Sequence, residues 1–143
     1  MSVPALVEAF YARIWSAGQE YVDDLLTEDF VFRGSLGAET TGRPAFMDYV
    51  YGVRGSLAQY HCDILACVTE LPNAFARMRF SGLHVAPFRG FEPTGKPLHW
   101  EGAALFTFRG ELIASLWVLG DLTGLDAALQ DNASIQNPWK LST

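Results

Sequence analysis

The feature that most constrains this 143-residue chain is a change in the spacing of its apolar residues near position 60. Before that point they recur every three to four residues, the period of a helix packed on one side. After it they alternate, the period of a strand with one buried face. "YHCDILACVTEL" and "AFARMRFSGLHV" both alternate, with Leu71-Pro72-Asn73 as a turn signal between them. Helices followed by a run of strands predict a segregated α+β domain. One face of an antiparallel sheet needs cover, and only the early helices can supply it.

The first helical stretch is "PALVEAFYARIWSAG", with Leu6, Val7, Phe10, Tyr11, Ile14 and Trp15 on one side, Pro4 in the first turn and Gly18 just past the end. A short helix is expected at about 19–26 and a longer one at about 44–57, starting at Pro44. Between these two helices "DFVFRG" reads as a brief strand and "GSLGAETTGRP" as a loop. That loop has neither the Gly-Lys-Ser/Thr ending nor the Gly-x-Gly-x-x-Gly spacing of a phosphate cradle. The second long strand sets Met78, Phe80, Gly82 and His84 on one face and Arg77, Arg79 and Ser81 on the other. "LHWEGAALFTF" then turns at Arg109-Gly110-Glu111 into "LIASLWVLGD". The chain finishes with a short helix in "LTGLDAALQD" and a tail that includes Trp139.

Composition narrows the function classes. Sixteen acidic residues against ten basic give a formal charge of −6, so a phosphate polymer or an anionic membrane surface is repelled. No apolar run approaches the length of a membrane span and no signal-peptide pattern opens the chain, so a cytoplasmic protein is expected. Aromatic residues make up 13% of the chain, enough to expect an aromatic-lined cavity beneath the twisted sheet. Tyr11, Trp15, Phe32, Tyr49, Phe80 and Trp117 are the expected lining. Cys62 and Cys67 lie five apart in one strand, which directs them to opposite faces as unbridged thiols. His61 and Asp63 share a face but lack a third ligand, so no metal site is expected.

Chemistry concentrates at the last hairpin. If its loop is Arg109-Gly110-Glu111, His99 falls opposite Asp121, within reach of an imidazole–carboxylate hydrogen bond. Asp121 closes an almost wholly apolar strand, and two readings follow. It caps the helix that begins at Leu122, or it is a general acid/base whose pKa is raised by apolar neighbours. His84 shares parity with Met78 and Phe80 and is either a hydrogen-bonded core residue or a group that polarises a carbonyl.

Two longer stretches, "DDLLTEDFVFRGSLGAETTGRPAF" and "GLHVAPFRGFEPTGKPLHWEGAALFTFRGELIASLWVLGD", resemble the SnoaL-like polyketide cyclase and ester cyclase group of the nuclear-transport-factor-2-like superfamily. The resemblance spans about residues 4–131 and rests mainly on the "H…F-x-G…P-T-G-K" loop and the "F-R-G-x-L-I…W-x-x-x-D" hairpin. It implies one domain over 1–143, a cone-shaped α+β barrel of helices packed on a curved antiparallel sheet, and frequent dimerisation. It also implies ring closure by aldol chemistry on a hydrophobic carbonyl compound without metal or organic cofactor. Asp121 matches the acid/base position, and His84 or His99 the group that stabilises the enolate. Two rivals stand beside this cyclase reading. One is a non-catalytic module that binds an apolar ligand or pairs through its sheet, with Trp139 available to dock; the other is an isomerase, dehydratase or hydrolase of the same superfamily.

Overall fold

The computed structural model describes residues 2–136. Helix α1 (Val3–Ala9) begins where the Ser2 hydroxyl accepts from the Ala5 amide at 3.3 Å, and it runs on as a π-helical segment, Phe10–Ser16. The wider turn is seen directly in the amide of Ala17, which donates to the carbonyl of Ala12 at 3.1 Å. It carries Phe10, Tyr11, Ile14 and Trp15 together on the buried side. Gly18 follows at φ 67°, the left-handed end that the sequence predicts.

The helix expected at 19–26 does not form. After Gly18 the chain makes only a turn at 23–25, where the amides of Leu25 and Leu26 share the Val22 carbonyl. Arg13 holds Asp24 through two 2.8 Å hydrogen bonds, and strand β1 (Leu26–Arg33) starts at once. The glycine-rich loop is also more ordered than expected. It contains a short strand, β2 (Glu39–Thr41), paired with β1, before α2 (Arg43–Ser56).

Four long strands follow: β3 (Leu57–Glu70), β4 (Asn73–His84), β5 (Pro97–Arg109) and β6 (Leu112–Gly120). The sheet order is β2-β1-β6-β5-β4-β3. The final strand therefore lies between β1 and β5, antiparallel to β5 but parallel to β1, with Phe32 beside Leu116. The sheet is curved and unclosed, and β2 and β3 are its edges. Its concave face closes on α1, the π segment and α2 around a cluster of rings. Phe10 stacks on Phe46 at 5.8 Å and meets Phe106 edge-on at 5.6 Å, and Phe30 sits 5.0 Å from Phe46. Helix α3 (Leu122–Gln136) leans on β5 and buries Leu125 and Leu129. Trp139 lies outside the described residues.

Two register details correct the sequence reading. The β5–β6 turn is Gly110-Glu111, with Arg109 opposite Leu112, and a bulge between Thr107 and Phe108 then shifts the pairing. His99 is thereby carried away from Asp121, whose backbone amide instead donates to the Glu101 carbonyl at 2.9 Å. A second bulge, at Leu65 of β3, resets the alternation. Cys62 lies opposite Phe80 and Cys67 opposite Ala76, so both thiols share the concave side, and both are free.

Candidate functional site: an aromatic chamber under the sheet

The concave face encloses a small chamber. Tyr11 and Trp15 form one wall and Tyr49 and Val53 of α2 another. The sheet supplies Phe32, Tyr60, Phe80, Leu116 and Val118, and the turn between β1 and β2 adds Ser35 and Leu36. The rings brace one another: Trp15 contacts Tyr60 at 5.4 Å and Tyr49 at 6.1 Å, and Phe32 contacts Tyr49 at 5.6 Å. What remains between them is about 20 Å³, room for roughly one water.

Three phenols give this apolar space its polarity. Tyr11 is 3% exposed, and its hydroxyl is buried with no hydrogen-bond partner. Such an orphan costs about 1–3 kcal/mol. Burial raises the Tyr11 pKa well above that of an ordinary tyrosine, and it does the same for Tyr60, whose hydroxyl is paired with the Cys62 thiol. Burial pushes Tyr49 up to about 12, against a smaller opposing pull from the Arg89 guanidinium, and pushes the Cys62 thiol up too. At neutral pH the chamber therefore presents neutral hydrogen-bond donors. Its lining holds no carboxylate and no imidazole.

Five of the six aromatics expected to line a cavity do so: Tyr11, Trp15, Phe32, Tyr49 and Phe80. Trp117 does not. It points to the convex face, 48% exposed, with the Arg33 guanidinium 5.6 Å above its ring. Strand alternation decides this, since Leu116 and Val118 take the two inward positions on either side. The Arg33 guanidinium also donates to the Val118 carbonyl.

The structure does not bring Asp121, His84 and His99 together. Asp121 is exposed at the start of α3, where its Oδ1 accepts from the Gly124 amide at 2.9 Å and its carbonyl from the Leu125 amide at 3.1 Å. This is the geometry of a helix N-cap. An added Cβ at Gly124 would lie 2.4 Å from the Asp121 carboxylate, so a glycine there lets the cap close. His99 is exposed on the convex face, paired with Ser81. His84 is fully buried beside Phe88, and its Nδ1 accepts from the Thr94 amide at 3.4 Å with the Thr94 hydroxyl 3.3 Å away. It ties the loop after β4 to the strand; its Nε2 has no protein partner.

Ser35, Leu36, Val53, Tyr60, Leu116 and Val118 escaped the sequence reading as lining residues. Tyr60 shares the parity of Cys62 on β3, a signal that was present; Ser35 and Leu36 sit in a glycine-rich turn whose path no periodicity records. Among the described residues no three His, Cys, Asp or Glu side chains gather to hold a metal ion.

A family profile described as SnoaL-like polyketide cyclase matches residues 5–129. No curated protein matches the chain. Of the similar solved structures, TsrD from Streptomyces laurentii has a TM-score of 0.78 at 25% identity, covering 89% of this chain and 93% of that one. A provisionally named polyketide cyclase from Acidithiobacillus ferrooxidans has a TM-score of 0.79 at 20% identity, over 92% and 99% of the two chains. A protein of ketosteroid isomerase-like fold from Catenulispora acidiphila, solved with trimethylamine, has a TM-score of 0.72 at 20% identity, over 87% and 91%.

Proposed function

As the chain belongs to the SnoaL-like polyketide cyclase family, we propose that its aromatic chamber receives a hydrophobic, polyketide-like carbonyl compound and orders it by donating hydrogen bonds from neutral phenols. The observation that carries this reading is the unpaired hydroxyl of Tyr11. A buried donor that costs the free protein stability is recovered when a ligand oxygen accepts from it. The surrounding rings exclude water, which strengthens that bond and polarises the carbonyl. Holding and polarising such a compound requires no cofactor.

In its acid/base form the same reading assigns proton transfer to Asp121 and oxyanion stabilisation to His84 or His99. The solvent-facing, helix-capping position of Asp121 favours the binding form over it. The test is Tyr11→Phe, assayed with 2-acetylnaphthalene and its hydrocarbon counterpart 2-ethylnaphthalene. Loss of the hydroxyl is expected to weaken the ketone about tenfold, in line with one hydrogen bond, and to leave the hydrocarbon unchanged. Equal effects on both compounds would remove Tyr11 as the donor.

We also propose that the protein acts as a cytoplasmic homodimer joined through the convex face. Val68, Phe75, Leu105 and Trp117 line up across four neighbouring strands, and each is more than 40% exposed. Two rows along on the same face, beyond Arg77, Ala103 and Leu119, runs a mixed row, Asp63, Arg79 and Glu101, which a twofold axis can set against its own opposite signs. The free thiols of Cys62 and Cys67 suit a reducing compartment. Among the described residues no helix is long and apolar enough to cross a membrane.

A further inference from the structure

A chamber of about 20 Å³ is far too small for any ketone of the proposed kind, since ligand pockets run to several hundred Å³. Something in its wall must therefore move. Eight of the lining residues are buried on helices or strands; only Ser35, Leu36 and Tyr49 are partly exposed, and they mark the solvent side. Tyr49 is anchored in α2, whereas Ser35 and Leu36 belong to the turn that joins β1 to β2.

That turn is a small, self-contained loop. Its closure consists of two backbone bonds, from the Gly34 amide to the Ala38 carbonyl and from the Gly37 amide to the Gly34 carbonyl, both 2.9 Å. Gly37, at φ 91°, takes a conformation that other residues resist. The turn is fastened to the body at one polar point, where the indole Nε1 of Trp100 donates to the Ser35 hydroxyl at 3.3 Å. It also lies on the bare backbone of Gly120, so close that an added Cβ would stand 2.5 Å from the Ser35 carbonyl oxygen.

We infer that the Ser35–Leu36 turn is the chamber's stopper, with Leu36 occupying ligand space and Ser35 covering a second interior donor, the indole N–H of Trp100. This rests on the chamber being the ligand site. When the turn lifts, Trp100, itself only 3% exposed, loses the acceptor it has and leaves a buried N–H to satisfy. A ligand oxygen takes the place of the Ser35 hydroxyl. Opening and binding are thus coupled through one residue that is neither a titrating group nor part of the turn.

The test is stopped-flow binding of 2-acetylnaphthalene, read by tryptophan fluorescence, together with the indole ¹H–¹⁵N resonance of Trp100, assigned by Trp100→Phe. In the wild type the observed rate should level off as probe concentration rises, because opening becomes limiting. Leu36→Ala should raise that ceiling roughly five- to tenfold, the factor from losing part of a leucine's burial. Ser35→Ala should raise it as well and shift the Trp100 resonance before any probe is added. Saturating probe should move that resonance in all three proteins. A rate that climbs linearly with probe and is identical in Leu36→Ala overturns the stopper while leaving the chamber as the binding site. Probe binding that leaves the Trp100 resonance in place overturns the donor exchange. No binding by any of these proteins overturns both the stopper and the chamber reading.

Discussion

Asp121 separates a structural from a chemical account more cleanly than any other residue. Its carboxylate accepts from the Gly124 amide in the first turn of α3. Removing an N-cap acceptor costs about 1 kcal/mol, within a range of 0.5–2. Asparagine caps as well as aspartate and gives up only the attraction of a negative charge to the helix N-terminus, about 0.3–1 kcal/mol. Unfolding entropy of roughly 2.1 cal/mol/K per residue over 143 residues means that 1 kcal/mol moves the melting temperature by about 3 °C. Asp121→Ala should therefore melt about 3 °C lower and Asp121→Asn 1–3 °C lower, followed by far-UV circular dichroism. Both should bind 2-acetylnaphthalene as the parent does, since the side chain faces solvent. If Asp121→Asn keeps its stability but loses turnover on a carbonyl substrate by about 10²–10⁴-fold, the loss typical of a missing acid/base, then the carboxylate does chemistry and a purely structural role for Asp121 is refuted.

Three further outcomes follow from the buried phenols and the convex face. Tyr11, Tyr49 and Tyr60 hold their protons above the ordinary tyrosine value of 10.0, so their contribution is intact below pH 10 and is lost as pH rises beyond it. For Tyr49 the window closes near 12 and amounts to about 2–3 kcal/mol; urea midpoints at pH 8, 10 and 11.5 should fall across that interval, and a flat profile would contradict the burial. Tyr11→Phe removes an unsatisfied hydroxyl, so the ligand-free variant should be as stable as the parent or more stable by up to about 1–3 kcal/mol; a loss would show that the hydroxyl has a structural partner. Trp117→Asp should raise the dimer dissociation constant roughly 30-fold or more by sedimentation, whereas a mass independent of this substitution would exclude the convex face as the joint.

The sequence made the first helix legible through its apolar spacing, Pro4 and Gly18, two of the four long strands through alternation, and the last through its apolar run. Five aromatics of the chamber were legible too, because each lies on an element whose buried side the period identifies. What stayed hidden depends on contacts between distant segments. Residues 19–26 have helical spacing, yet the Arg13–Asp24 pair and the pairing of Leu26 with Ile113 take them elsewhere. The single extra residues at Leu65 and near Phe108 carry no compositional mark, and each resets what lies beyond it. One moved Cys67 to the side of Cys62; the other, together with the two-residue Gly110-Glu111 turn, parted His99 from Asp121. Trp117 was assigned to the chamber as an aromatic on the final strand, but a strand offers its core every second residue only, and Leu116 and Val118 hold those places.

The place of β6 in the sheet has a consequence for how this protein is made. The last strand slots between β5, made just before it, and β1, made long before it, with Phe32 meeting Leu116 across more than eighty intervening residues. Until that insertion the flanks of β1 and β5 present unpaired peptide groups, and the chamber lacks the wall formed by Leu116 and Val118. Assembly of such remote neighbours is slow. A ribosome releasing this chain thus delivers the joining strand last, and any premature stop before Leu112 leaves β2-β1 and β5-β4-β3 as two unjoined pieces with adhesive edges.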